Sequence, residues 1–236
     1  MTLQCLDMEL IIDKMNIEKI LNRIFPELNN NFIFIYTDDK NFYKIPSVIV
    51  QVLYKVKIKY GNSKNTTIKI HKNASFKHSQ IILNSNNAYI QLGSGNYSRF
   101  KIITTFGNFQ KLEIGNNFSC ISTTIHLQEG HSSVKIGNDC MFSSEIHIWP
   151  TDCHTILHNG IPYNSPTPIT IEDKCWLGFR SQILKGTHLK TGTIVANSAV
   201  VCGVFKHSNI ILAGIPAKII KSNISWSWKT FSEYSQ

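Results

Sequence analysis

From position 171 onward the apolar residues recur every six positions. The blocks IEDKCW, LGFRSQ, ILKGTH, LKTGTI, VANSAV and VCGVFK open on Ile171, Leu177, Ile183, Leu189, Val195 and Val201. Four places after each of the first five openings stands a small residue: Cys175, Ser181, Thr187, Thr193 and Ala199. An α-helix would repeat every three or four residues and a lone strand every two. A period of six fits a solenoid in which each unit is one short strand and a turn, with the aliphatic side chain pointing inward. The same frame recurs at Ile136, Phe142 and Ile148, and at Ile114 and Cys120. Upstream, TTIKIHKNASFKHSQIILNSNNAYIQLGSG is looser but rich in β-formers, with Asn and Gly as turn residues. The pattern predicts one all-β solenoid over residues 65–221, each coil burying its apolar edge against the next.

The pattern fails in two places. Residues 1–64 lie outside it. There Leu6, Leu10, Met15, Ile17, Ile20, Leu21 and Ile24 fall near helical spacing and predict an amphipathic helix. The stretch that follows reads as strands with turns at Asp38–Asp39 and at Pro46. This is a small α+β cap, expected to cover the open end of the solenoid. The second break is WPTDCHTILHNGIPYNSPTP, residues 149–168. Pro150, Pro162, Pro166 and Pro168 would break strand pairing, so the segment is expected to leave the solenoid as a projecting loop. A long loop on a regular scaffold is usually functional or disordered. This one carries Asp152, Cys153, His154 and His158.

Composition narrows the classes. The chain of 236 residues suits one large domain with a small companion. No run of apolar residues is long enough for a membrane span, and the N-terminus lacks the basic start of a secretory signal, so the expected location is the cytoplasm. The six cysteines include no CxxC pair and read mostly as small, buried apolar residues. A formal charge of +9 favours an anionic ligand or substrate, or is simply a solvated basic surface. There is no nucleic-acid motif, nucleotide-phosphate loop or Gly-x-Ser-x-Gly elbow. A serine nucleophile of the elbow type is therefore not expected.

The hexads resemble those of the hexapeptide-repeat acyltransferases. Three segments carry the resemblance: ILAGIPAKIIK at 211–221, CWLGFRSQILKG at 175–186, and TDCHTI at 151–156. The last, with IGNDCMFSSEIHI upstream and KSNISWSW after the final strand, is similar to bacterial sialic acid, polysialic acid and capsular polysaccharide O-acetyltransferases. The resemblance implies a left-handed parallel β-helix, a handedness that ordinary parallel crossovers do not take. It also implies a short C-terminal helix within residues 222–236, and a homotrimer with active sites between subunits. His154 would be the general base, and Trp176 would lie near the reacting thioester. Acetyl-coenzyme A would be the donor. Gly178, Ala196, Ser198, Ala213 and Gly214 would line its groove, with Arg180, Lys185, Lys206 and Lys218 as phosphate partners. Trp226 and Trp228 would stack on adenine or pack the C-terminal helix.

The chemistry stands on its own footing. A sugar hydroxyl is a poor nucleophile, and a neutral imidazole within hydrogen-bond reach can take its proton as the new bond forms. Asp152, Glu145 and Glu172 are candidates to orient that imidazole. A backbone N–H near Trp176–Gly178 is a candidate oxyanion donor. A zinc site built on His147, His154 and His158 would need different spacing, so no metal is expected. His147 reads instead as an outward hexad residue. The expected activity is acetyl transfer to a hydroxyl of a sialylated surface glycan, with no nucleic-acid partner and no membrane insertion. The competing readings are an amino-sugar N-acetyltransferase and a non-catalytic β-solenoid scaffold.

Overall fold

The computed structural model describes residues 30–37, 41–61 and 63–234. They wind as a parallel β-solenoid with three faces. The first face stacks Phe32–Tyr36, Thr67–His71, Tyr89–Leu92, Lys111–Ile114, Ser133–Ile136, Ile169–Ile171 and His188–Leu189. The second runs from Ala74–Lys77 through Phe118–Cys120 and Trp176–Leu177 to Ile211–Gly214. The third runs from Val56–Tyr60 through Thr123–Leu127 and Ile146–Trp149 to Val200–Val201. The chain visits first, second and third face in turn and then begins the next coil.

The hexad reading holds in the C-terminal coils. Ile171 lies beside Leu189, Leu177 beside Val195 and Ile183 beside Val201, so three hexads close one coil. All six side chains are fully buried, as are Cys175, Ser181, Thr187, Thr193 and Ala199. Upstream the coil is longer. Ile68, Ile90, Leu112 and Val134 form one inward column, and their coils are 22 residues apart. The longer coil has longer strands and a wider core. Aromatic rings fill it: Tyr97 stacks on Phe76 at 4.8 Å and meets Phe118 at 5.1 Å, and Phe118 meets Phe142 at 5.0 Å. The wholly buried Tyr97 hydroxyl donates to the Gly93 carbonyl at 2.9 Å, and burial pushes its pKa well above the ordinary tyrosine value. This change of coil length is why the hexad frame looks loose before residue 114.

The N-terminal segment differs from the expected run of strands. Phe32–Tyr36 and Phe42–Lys44 do form an antiparallel pair, but Ser47–Tyr54 is an α-helix. Its β-branched residues favour a strand locally; burial of Val50 and Tyr54, four apart on one helix face, overrides that preference. The helix stands where the second-face strand of the first coil would be, with the Tyr54 ring 6.4 Å from Phe76. It closes that side of the core. Phe32–Tyr36 and Val56–Tyr60 already pair in parallel with the next coil, so the solenoid extends upstream of residue 65. The helix expected over residues 6–24 and the turn at Asp38–Asp39 lie outside the described residues.

At the other end, Ile211–Gly214 pairs antiparallel with Ala217–Lys221 across a cis Ile215–Pro216 peptide. The tail then folds back onto the second face, where the Trp226 indole N–H donates to the Lys174 carbonyl at 2.7 Å. It ends in the short helix Phe231–Tyr234. Among the described residues no helix is long and apolar enough to cross a membrane.

Candidate active site

The projecting loop leaves at the corner between the third and first faces, after Trp149, and rejoins at Ile169. Its tip is a small hairpin, Leu157–His158 against Ile161–Pro162. Asn159 and Gly160 turn it with φ of 51° and 78°. That pair of left-handed residues is what a two-residue hairpin turn requires. The prolines do keep the loop out of the coil ladder, although Pro162 joins this minimal hairpin.

Three anchors fix the loop's root to the solenoid. The buried Thr151 hydroxyl donates to the Glu129 carboxylate. The Cys153 thiol donates to the Gln128 side-chain carbonyl at 3.2 Å. Asp152 pairs with Lys185 at 2.5 Å and accepts from the Asn164 amide at 2.8 Å. Partial burial raises the Asp152 pKa, but bonds from Lys185 and Asn164 outweigh it and hold the carboxyl below its ordinary value. Lys185 also donates to the Asn164 carbonyl at 2.9 Å, so one ammonium ties both arms of the loop together. Between these anchors Cys153 takes a left-handed conformation, φ 63°, which turns the chain outward just before His154.

His154 is exposed, and its ring makes no hydrogen bond among the described residues; only its carbonyl is held, by Asn164 at 2.8 Å. The side chains considered as its orienting partners are engaged elsewhere. Asp152 faces Lys185. Glu145 pairs with Arg180 at 2.7 Å. Glu172 accepts from Lys190 at 2.7 Å and from His188 at 2.9 Å, and bonding led by Lys190 lowers its pKa to about 2.

Trp176 points outward from the second face, half-exposed, with Trp226 at 6.1 Å. Beside it, successive coils stack Gly178 and Arg180 under Ala196 and Ser198, with Ala213 and Gly214 above at the edge of the last strand. The structure thus brings the five expected groove residues and Arg180, one of the expected phosphate partners, to one edge. Gly178 itself is buried. A Cβ there would come within 2.7 Å of the Val195 carbonyl oxygen, so this glycine permits close stacking of coils. Lys206 and Lys218 are exposed. The Trp176 and Gly178 N–H groups donate to the Thr193 and Val195 carbonyls of the next coil, so neither is free to hold an oxyanion.

His154 and Trp176 are not brought together within one chain. The loop springs from the corner between the third and first faces, whereas Trp176 stands on the second.

The sequence reading missed one cluster. His126, 8% exposed, stacks face to face on the Trp149 indole at 3.4 Å, and its Nε2 shares a hydrogen bond with His147 Nδ1 at 3.1 Å. Burial, with the neighbouring His147 and Lys101, lowers the His126 pKa to about 4. Together with Gln128 and Glu129 this cluster supports the loop root. The signal was present in the spacing: Glu129 and Thr151 are 22 residues apart, one long coil. Among the described residues no three His, Cys, Asp or Glu side chains are grouped to hold a metal ion.

Lys185→Met should release both arms of the loop and lower kcat/KM by about tenfold to a hundredfold. Steady-state kinetics would show this while the thermal midpoint moves little, because the lost contacts lie outside the core.

A parallel β-solenoid carrying an anchored histidine loop and an edge of small residues is the architecture of a hexapeptide-repeat acyltransferase. No family model matches the chain. A polysialic acid O-acetyltransferase of Neisseria meningitidis is 30% identical over 169 residues, 71% of this chain and 78% of that protein. The solved structure of the polysialic acid O-acetyltransferase OatWY superposes with a TM-score of 0.56 at 27% identity, covering 75% of this chain and 89% of that one. That of the polySia-specific acetyltransferase NeuO gives 0.64 at 24% identity, covering 76% and 82%, and speaks for the fold. The chain belongs to the hexapeptide-repeat acyltransferases, in the group of the polysialic acid O-acetyltransferases.

Proposed function

We propose that this enzyme transfers acetyl from acetyl-coenzyme A to a hydroxyl of sialic acid or a sialylated capsular polysaccharide, with His154 as general base. The observation that carries the reading is an imidazole with no hydrogen bond among the described residues, held outward by a loop whose root is anchored at Thr151, Asp152 and Cys153. His154 takes the hydroxyl proton as the sugar oxygen attacks the thioester carbonyl. The tetrahedral intermediate collapses to the ester, and the coenzyme leaves as the thiol with the proton that His154 returns.

The donor lies along the edge of Gly178, Arg180, Ala196, Ser198, Ala213 and Gly214, with Trp176 beside the thioester and Lys206 and Lys218 available to phosphate. We assign Lys185 to the loop instead, since its ammonium is already bound twice. Because His154 and Trp176 occupy different sides of one solenoid, a second copy completes the site, in keeping with a trimer that places three sites between subunits. Among the described residues five cysteines are unpaired, which suits a reducing compartment, and we place the reaction in the cytoplasm.

The test is thiol release from acetyl-coenzyme A across a panel of sialic acid, polysialic acid, neutral hexoses and amino-sugars. Turnover confined to sialylated acceptors is expected. Turnover confined to amino-sugars would replace this reading with N-acetyl transfer.

A further inference from the structure

Between residues 41 and 112 the chain carries 11 Lys and Arg and no Asp or Glu. The solenoid sorts these charges onto different sides. On the first face Lys69 lies over the rings of Phe42 and Tyr89, at 4.3 and 5.3 Å, and Lys111 pairs with Glu113 at 3.0 Å. Elsewhere, among the described residues, the cations have no such partner. Lys57 and Lys101 stand in one outward column of the third face, with Gln80 between them, and Lys59 points outward two residues after Lys57. Lys55, Lys77 and Arg99 occupy the corner leading into that face, with the Arg99 N–H donating to the Lys77 carbonyl at 2.7 Å. None of these six is ion-paired among the described residues. Three successive coils thus present a continuous cationic ridge.

The ridge points at the site. The same corner continues through Glu145 and Arg180 to Ser198, the edge assigned to the donor. Arg99 is three coils from Arg180, roughly 15 Å at ordinary strand spacing. The third face lies between this corner and the corner from which the His154 loop springs.

We propose that Lys55, Lys57, Lys59, Lys77, Arg99 and Lys101 form a secondary binding site for an anionic polysaccharide, holding several sugars of a polymer whose reacting unit lies at the His154 site. This rests on the sialylated-acceptor reading above and extends it from monomer to polymer. A chain with one carboxylate per sugar offers repeated anionic groups to cations repeated at coil spacing. The outward positions among them carry His78, Gln80, Ile82 and Ile103, with no Phe, Tyr or Trp ring on which a nucleic acid base would stack.

The experiment compares full-length wild type with a variant carrying Lys57→Gln, Lys59→Gln, Lys77→Gln, Arg99→Gln and Lys101→Gln. A control carries Lys69→Gln and Lys111→Gln on the first face. Two readouts are taken: direct titration with long and short polysialic acid, without donor, and KM for the same acceptors. Wild type should bind the long polymer more tightly than a trimer of sialic acid, with the advantage shrinking as salt rises. The ridge variant should lose about tenfold in polymer affinity, with affinity for the trimer and KM for acetyl-coenzyme A unchanged, and the control should behave as wild type. Equal losses in ridge variant and control, a loss in acetyl-coenzyme A binding instead, or equally tight and ridge-dependent binding of single-stranded DNA would overturn the proposal. The titration needs no turnover, so an absence of acetyl transfer to sialylated acceptors would count against the proposed reaction and leave the ridge result readable.

Discussion

His154→Ala should lower kcat for acetyl transfer by about 10²–10⁴, the range lost with a general base. The loss should come without a change in thermal midpoint. The His154 ring makes no hydrogen bond among the described residues, and the groups that shape the loop are its neighbours, not its imidazole. A stability loss of the same size would mean that the ring holds structure and is not a free base. Trp176→Ala should lower kcat/KM by about a hundredfold through misplacement of the donor. Thiol-release kinetics at saturating donor, beside a thermal melt of each variant, separate these effects.

The largest effect on stability is expected from Phe118→Ala, at about 3–5 kcal/mol. Phe118 is wholly buried and sits among Tyr97, Phe100 and Phe142, with ring centres 5.0 to 6.1 Å away. The coil is too wide for neighbouring aliphatic residues to fill the void, and the backbone ladders on three sides prevent collapse. Coils touch only their neighbours, so the defect would interrupt a stack whose stability is built interface by interface. Circular dichroism should show the midpoint falling by about 10 °C. A fall of only one or two degrees would show that the long coils repack freely.

The architecture was legible from Ile171 to Val201 because there one hexad is one face, and the inward residue cannot change without opening the core. It was less legible upstream. Four extra residues per coil shift the apolar positions out of the six-residue frame, although Ile68, Ile90, Leu112 and Val134 still keep one column. Ser47–Tyr54 was misread because its Val and Ile residues carry strand preference, and only packing over the open core makes them helical. The handedness of the coil came from resemblance alone. In the site, the projecting loop was legible from the broken hexads and the prolines, whereas the role given to its His154 came from the resemblance. The engagement of Lys185 with Asp152 was not, because the two are brought together only by the loop's return path. The oxyanion donors were misplaced for a related reason: strand N–H groups at Trp176 and Gly178 are consumed by the inter-coil ladder.

The central claim is that His154 of one copy acts on a donor placed by Trp176 of another. It is tested most directly by co-expressing His154→Ala and Trp176→Ala chains, each nearly inactive alone, and measuring thiol release from the purified mixed assemblies with a sialylated acceptor. The account predicts that activity returns, because mixed assemblies contain some sites with both residues intact. Mixed assemblies no more active than either parent would contradict it.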